Sequence, residues 1–90
     1  MLEVYGFDPL ELECKPCLNA KRLLDVRGVN YVFLPIAKIS KTEEHKVNKA
    51  DLTRRAKEHG VVVTSMPQVF ADGEYIGGFE ELKMWVDANA

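Results

Sequence analysis

Apolar and polar positions alternate from Leu2 to Phe7, the period of a strand, until Asp8-Pro9 breaks the pattern. The run Leu18 to Val26 then reads as a helix from about Pro16 to Arg27. Pro16 suits its first turn, and Gly28 suits the left-handed position just past its end. Tyr31 to Ile36 is continuously apolar and predicts a strand buried on both faces, which implies a right-handed parallel crossover with the first strand.

Ser40 with Glu43 reads as a capping box opening a helical region that ends near His59-Gly60. Its apolar positions, Val47, Ala50, Leu52 and Ala56, are sparse, and Asn48 suits the cap of a second short helix, so the region reads as one helix or two. Gln68 to Ala71, Asp72-Gly73 and Glu74 to Ile76 form a hairpin, because Asp-Gly supplies the positive φ angles of a two-residue turn. Gly77-Gly78 ends it. Phe79 to Asn89 carries Leu82, Trp85, Val86 and Asn89 at helical spacing, with Trp85 as a core residue. The order β-α-β-α-β-β-α predicts a small α/β sandwich with a mixed sheet, one domain over residues 1–90.

A hydrophobic fraction of 47% and a charged fraction of 29% fit a soluble globule with its own core. The net charge of −2 argues against nucleic acid as a partner. No segment reaches transmembrane length, and Met1 to Leu10 lacks a basic start and a long apolar run. The expectation is a cytoplasmic protein with no membrane partner. All Lys and Arg residues except Lys83 lie between Lys15 and Lys57, offering a basic face to an anionic partner. Lys46, Lys49, Arg54, Arg55 and Lys57 also suit the solvated side of a helix.

Cys14-Lys15-Pro16-Cys17 holds both cysteines of the chain, at the start of a predicted helix. Unpaired backbone N–H groups and the positive end of the helix dipole stabilise a thiolate there. Such settings lower a cysteine pKa from about 8.5 to roughly 3.5–7.5, which predicts Cys14 as attacking thiolate and Cys17 as resolving thiol. A zinc site needs two further ligands at tight spacing, which the distant His45 and His59 do not offer, so no metal is expected. A structural disulfide closing so short a loop would constrain the unfolded chain little.

Three segments carry a family resemblance: Cys14 to Cys17, Ser65-Met66-Pro67-Gln68-Val69-Phe70, and Ile76-Gly77-Gly78-Phe79-Glu80-Glu81-Leu82. In this order they resemble the glutaredoxins, most of all the short phage-encoded ones. The resemblance implies a thioredoxin-like fold, a four-stranded mixed sheet flanked by helices, with Cys14 and Cys17 as the catalytic pair. It implies a cis Pro67 that leaves the Met66 backbone free to pair with substrate, and a Gly77-Gly78 turn whose helix start takes the γ-glutamyl end of glutathione. The implied glutathione contacts are Lys15, Met66, Pro67, Gly78, Phe79 and Glu80, although Glu80 and Glu81 equally suit a helix first turn on charge alone.

The resemblance further implies a monomer with no tightly bound cofactor, using glutathione as reducing co-substrate in the host cytoplasm if phage-encoded. Its partners would be oxidised or glutathionylated proteins, ribonucleotide reductase among them, with thioredoxin reductase as a second electron source. The chain departs from the family pattern in carrying Lys15-Pro16 between the cysteines and Glu11 and Glu13 before them. Where relatives bind the glycyl carboxylate of glutathione it has Val61 to Thr64, leaving Lys21, Arg22 or Lys57 as replacements. Two other readings are a thioredoxin-like reductase independent of glutathione and a carrier of a [2Fe–2S] cluster shared by two protomers through Cys14 and glutathione.

Overall fold

In the computed structural model, which describes residues 1–89, the chain forms β1 (Leu2–Phe7), α1 (Lys15–Arg27), β2 (Tyr31–Ile36), α2 (Glu43–Glu58), β3 (Gln68–Ala71), β4 (Glu74–Gly77) and α3 (Phe79–Asn89). The strands lie in the order β2-β1-β3-β4, with β1 parallel to β2 and antiparallel to β3, and β3 antiparallel to β4. This is the thioredoxin-like α/β arrangement of a four-stranded mixed sheet flanked by three helices.

Alternation along β1 sorts the core into two halves. Leu2 and Val4 face α1 and α3, where they pack with Ala20, Leu24, Val69, Leu82 and Val86. Tyr5 faces α2 and packs with Ile36, Leu52 and Phe70. Glu3 shares that second face by strand period, and its carboxylate accepts a 2.9 Å bond from Arg55 of α2. Arg55 also donates to the Tyr5 hydroxyl at 2.9 Å and lies 4.1 Å above the Phe70 ring. The reading of Arg55 as a solvated residue is therefore corrected: an acid on a core face of β1 draws the guanidinium inward.

Two further expectations are corrected. β2 is an edge strand, and Val32 is 43% exposed, because an apolar run with one neighbouring strand is not covered on both sides. Pro35, which lacks an N–H, fits that edge. The second helical region is one continuous helix, capped by Thr42 in place of Ser40, with the Thr42 hydroxyl accepting from the His45 N–H at 3.1 Å. Asn48 caps nothing, since it is buried in mid-helix and donates to the Pro35 carbonyl at 2.8 Å. The buried stripe of α2 is His45, Asn48, Leu52 and Ala56, whereas Val47 is exposed. Two polar residues with dedicated partners hide the helical period from an apolar count.

The hairpin forms as expected, with Asp72 at φ 50° and Gly73 at φ 86°. In α3, Leu82 and Val86 are buried, Trp85 is half-buried against the core, and Asn89 is exposed.

Burial, and a hydrogen bond donated to Asp51, push the Tyr5 hydroxyl from 10.0 up to about 12. The neutral phenol is thus favoured by folding, and its contribution is intact below pH 10 and lost as pH rises toward 12. Tyr31 and Tyr75 are pushed the same way by burial. Tyr5→Phe should shrink the alkaline loss of stability between these pH values without abolishing it, as read by urea denaturation across pH. An unchanged alkaline limb would contradict the assignment.

Candidate active site

The backbone at Cys14 is extended, at φ −122° and ψ 102°, and α1 begins at the next residue. Cys14 is thus the N-cap, and its Sγ accepts the Cys17 N–H at 3.3 Å, the place a serine oxygen takes in an ordinary cap. Pro16 falls in the first turn, where its missing N–H leaves no bond unmade. The two cysteines are disulfide-bonded, with Cα atoms 5.2 Å apart. Cys14 retains 9% exposure against 1% for Cys17, so the first sulfur is the one that meets solvent.

Cys17 lies against β1 because Gly6 has no side chain. A Cβ built at Gly6 would sit 3.2 Å from Cys17 Sγ and 2.8 Å from the Phe33 ring. On the other flank, the Met66-Pro67 peptide is cis, and the Met66 carbonyl oxygen lies 3.9 Å from Cys14 Sγ. The segment before Pro67 is held from below: buried Gln68 donates to the Ser65 carbonyl at 2.8 Å and accepts from the Tyr75 hydroxyl at 2.6 Å. The Pro67 carbonyl would lie 3.5 Å from a Cβ on Gly78, which brings the third segment to the same place. The structure therefore brings Met66 to the Cys14 sulfur and Gly78 to the Pro67 carbonyl, with Lys15 exposed on the first turn of α1.

At the start of α3, Glu81 reaches back to the Gly78 N–H at 2.8 Å, the acid half of a capping box. Its role was missed in the sequence although a Gly followed three residues later by Glu carries that signal. Glu80 is exposed, 3.9 Å from Lys83. Phe79 is half-buried against the core.

The loop leading to Cys14 is tied to the start of α2. Asp8 donates its N–H to the Ile36 carbonyl at 2.8 Å, and its own carbonyl accepts from Glu11 and Leu12. The His45 ring, 1% exposed, accepts the Lys41 N–H at Nδ1, so its Nε2 carries the proton that it donates to Asp8 at 2.9 Å. That hydrogen bond, with a second from the Leu10 N–H, holds the Asp8 carboxyl below the usual carboxylate range. Glu11, one of the two acids before the cysteines, is ion-paired with Lys41 at 2.6 Å. His45 was read only as a failed zinc ligand; its function as an anchor depends on a partner 37 positions away.

Of the three cations offered for a ligand carboxylate, Lys21 lies 4.2 Å over the Phe33 ring, Arg22 is exposed, and Lys57 sits on the outer face of α2 with Lys46 and Arg54. None of them lines the hollow at Cys14 or the groove at Met66. Among the described residues, no three His, Cys, Asp or Glu side chains converge as a metal site, and no helix is long and apolar enough to cross a membrane.

The chain matches the glutaredoxin family model over residues 3–76. It is 38% identical over 84 residues to a glutaredoxin of Enterobacteria phage T4, covering 92% of this chain and 95% of that one. Its fold is similar to glutaredoxin 1 from Francisella tularensis, solved with cacodylate, at a TM-score of 0.69, 23% identity and coverage of 97% and 92%. It is also similar to a buckwheat glutaredoxin solved as a glutathione complex, at a TM-score of 0.65, 23% identity and coverage of 97% and 69%.

Gly6→Ala should force α1 and the Phe33 ring away from β1. The expected loss is about 1–3 kcal/mol in chemical denaturation of the reduced protein, typical of overpacking. Undiminished stability would show that Cys17 does not depend on the bare backbone at Gly6.

Proposed function

The chain belongs to the glutaredoxin family and is a thiol–disulfide oxidoreductase, and we propose that it draws its electrons from glutathione. The observation that carries the proposed chemistry is the Cys14 sulfur at the N-cap of α1, bonded by the Cys17 N–H and more exposed than Cys17. A negative charge on that sulfur is favoured by the N–H and by the helix dipole, so Cys14 is the nucleophile of the reduced enzyme.

The Cys14 thiolate attacks one sulfur of a protein disulfide or glutathione mixed disulfide. The S–S bond breaks, the departing thiolate takes a proton, and a new bond joins Cys14 to the partner. In the dithiol route Cys17 gives up its proton and attacks Cys14, releasing the partner as thiol and closing the Cys14–Cys17 bond. One glutathione then opens that bond and a second removes the first, leaving oxidised glutathione and both thiols restored. In the monothiol route glutathione attacks the Cys14 adduct directly.

For glutathione we assign the Met66 backbone beside Pro67 to the tripeptide chain, and the helix start at Gly78, Phe79 and Glu80 to its γ-glutamyl end. Glu81 already occupies the Gly78 N–H, so the Phe79 and Glu80 N–H groups, which a helix leaves without internal partners, would receive the carboxylate. Glu80 would accept from the ligand ammonium, and Lys15 would favour anionic partners near Cys14. The buckwheat relative's complex lends this ligand support at the level of fold. On the family resemblance we further propose residues 1–90 as one monomeric working domain in the cytoplasm, with ribonucleotide reductase as a disulfide target and thioredoxin reductase as a second electron source.

The test is turnover of a glutathione mixed disulfide and of a protein disulfide, with NADPH and glutathione reductase regenerating the thiol. Cys14→Ser should abolish both activities, while Cys17→Ser should keep the first and lose the second. Equal loss of both in Cys17→Ser would overturn the roles, and no turnover by the wild type would remove glutathione as the electron source.

A further inference from the structure

The His45 ring makes two bonds, one to each of the segments it lies between. Its Nδ1 accepts the Lys41 N–H at 3.2 Å, on the approach to α2, and its Nε2 donates to Asp8 Oδ2 at 2.9 Å, on the active-site loop. At 1% exposure the ring has no water to turn to, so the loss of either partner leaves a buried polar atom unmatched.

Asp8 divides its carboxylate between that ring and the turn it opens. Oδ1 accepts from the Leu10 N–H at 3.0 Å, and the Asp8 carbonyl accepts from the Glu11 and Leu12 N–H groups at 2.9 and 3.0 Å. The turn from Asp8 to Leu12 is thus closed on one residue, and His45 aims the side chain of that residue. Only Glu13 separates the turn from Cys14. One residue spans about 3.3–3.6 Å at most, so the place of the turn decides where the chain enters α1. What enters there is the N-cap, its sulfur 3.3 Å from the Cys17 N–H. The turn's other tie, the Glu11–Lys41 ion pair, has its Lys41 side chain 65% exposed and holds weakly by comparison.

We propose that His45 is a positioning residue for Cys14: acting through Asp8, it sets the turn so that the Cys14 sulfur stays on the Cys17 N–H. The inference rests on the reading of Cys14 as the thiolate nucleophile, and it assigns part of that thiolate's stability to a residue of α2. With Asp8 released, the turn no longer holds the entry to α1, the cap is made less often, and the charge on the sulfur loses its N–H.

The two bonds of His45 can be removed one at a time, because a Gln amide nitrogen reaches the place of Nε2 and an Asn amide oxygen the place of Nδ1. His45→Gln keeps the donor to Asp8, and His45→Asn keeps only the acceptor for Lys41. Each change is made in reduced Cys17→Ser protein, so that one thiol titrates; the Cys14 midpoint is read from thiolate absorbance and stability from urea denaturation. His45→Asn should raise the midpoint by about 0.3–0.7 in pH, the two- to fivefold loss of thiolate stability expected when an N-cap is weakened. His45→Gln should lose stability and leave the midpoint in place. Asp8→Ala tests the same link from its 19% exposed end and should also raise the midpoint, whereas loss of a nearby carboxylate by itself would lower it. Combining Asp8→Ala with His45→Asn should raise it no further, because the histidine acts through the aspartate. The acid limb of kcat/KM on a glutathione mixed disulfide should move with the midpoint. An unchanged or lowered midpoint in His45→Asn and Asp8→Ala, with stability reduced, would overturn the proposal and leave His45 a structural residue. Equal rises in the Asn and Gln variants, or additive rises in the double variant, would also overturn it, since the effect would not pass through Asp8. A midpoint near the free-cysteine value of about 8.5 before any change at His45 or Asp8 would instead remove the thiolate reading, and with it anything for His45 to position.

Discussion

The hydrogen bond from the Cys17 N–H to the Cys14 sulfur decides where the chemistry of this molecule sits. A helix must leave its first N–H groups unsatisfied, and a sulfur placed as the cap both satisfies one of them and inherits the positive end of the dipole. In the mechanism we propose, capping and activation are one contact. Spacing follows from it: the third residue after the cap is the one whose N–H reaches back, so Cys17 is necessarily adjacent in space to Cys14.

That contact is useful only if α1 is seated correctly, and the sheet seats it. β1 turns Leu2, Val4 and Gly6 to the α1 face, the first two giving apolar area and the third giving room for Cys17. The opposite face of the same strand carries Glu3 and Tyr5, whose polar atoms are met by Arg55 and Asp51 of α2. Buried polar groups on that side are tolerable because each has a partner. Asp8, at the end of the strand, continues the arrangement by fixing the active-site loop to His45. One six-residue strand thus carries core packing and clearance for the sulfur, and the residue just after it tethers the loop that leads to Cys14.

Much of this was legible in the chain. The cysteine pair, the Met66-Pro67 turn, the Asp72-Gly73 hairpin and the Gly77-Gly78 break are local signals, in which the residue type itself dictates the backbone. The cis state of Pro67 came from family resemblance, since a proline at a strand start is compatible with either form. What escaped the reading was nonlocal. α2 shows four buried positions of which two are polar, and only the distant partners of His45 and Asn48 explain their burial. Arg55 looked like its exposed neighbours because Glu3 and Phe70, which draw it in, belong to other elements. β2 looked doubly buried because composition does not reveal strand order.

The account depends on a thiolate at Cys14 stabilised by the α1 N-terminus. The direct measurement is the titration of that sulfur in the reduced protein, followed by thiolate ultraviolet absorbance in the Cys17→Ser variant so that a single thiol is observed. A midpoint well below the free-cysteine value of about 8.5, within roughly 3.5–7.5, is predicted. A midpoint at or above the free value would mean that the cap does not activate Cys14, and the nucleophile would have to be sought in Cys17.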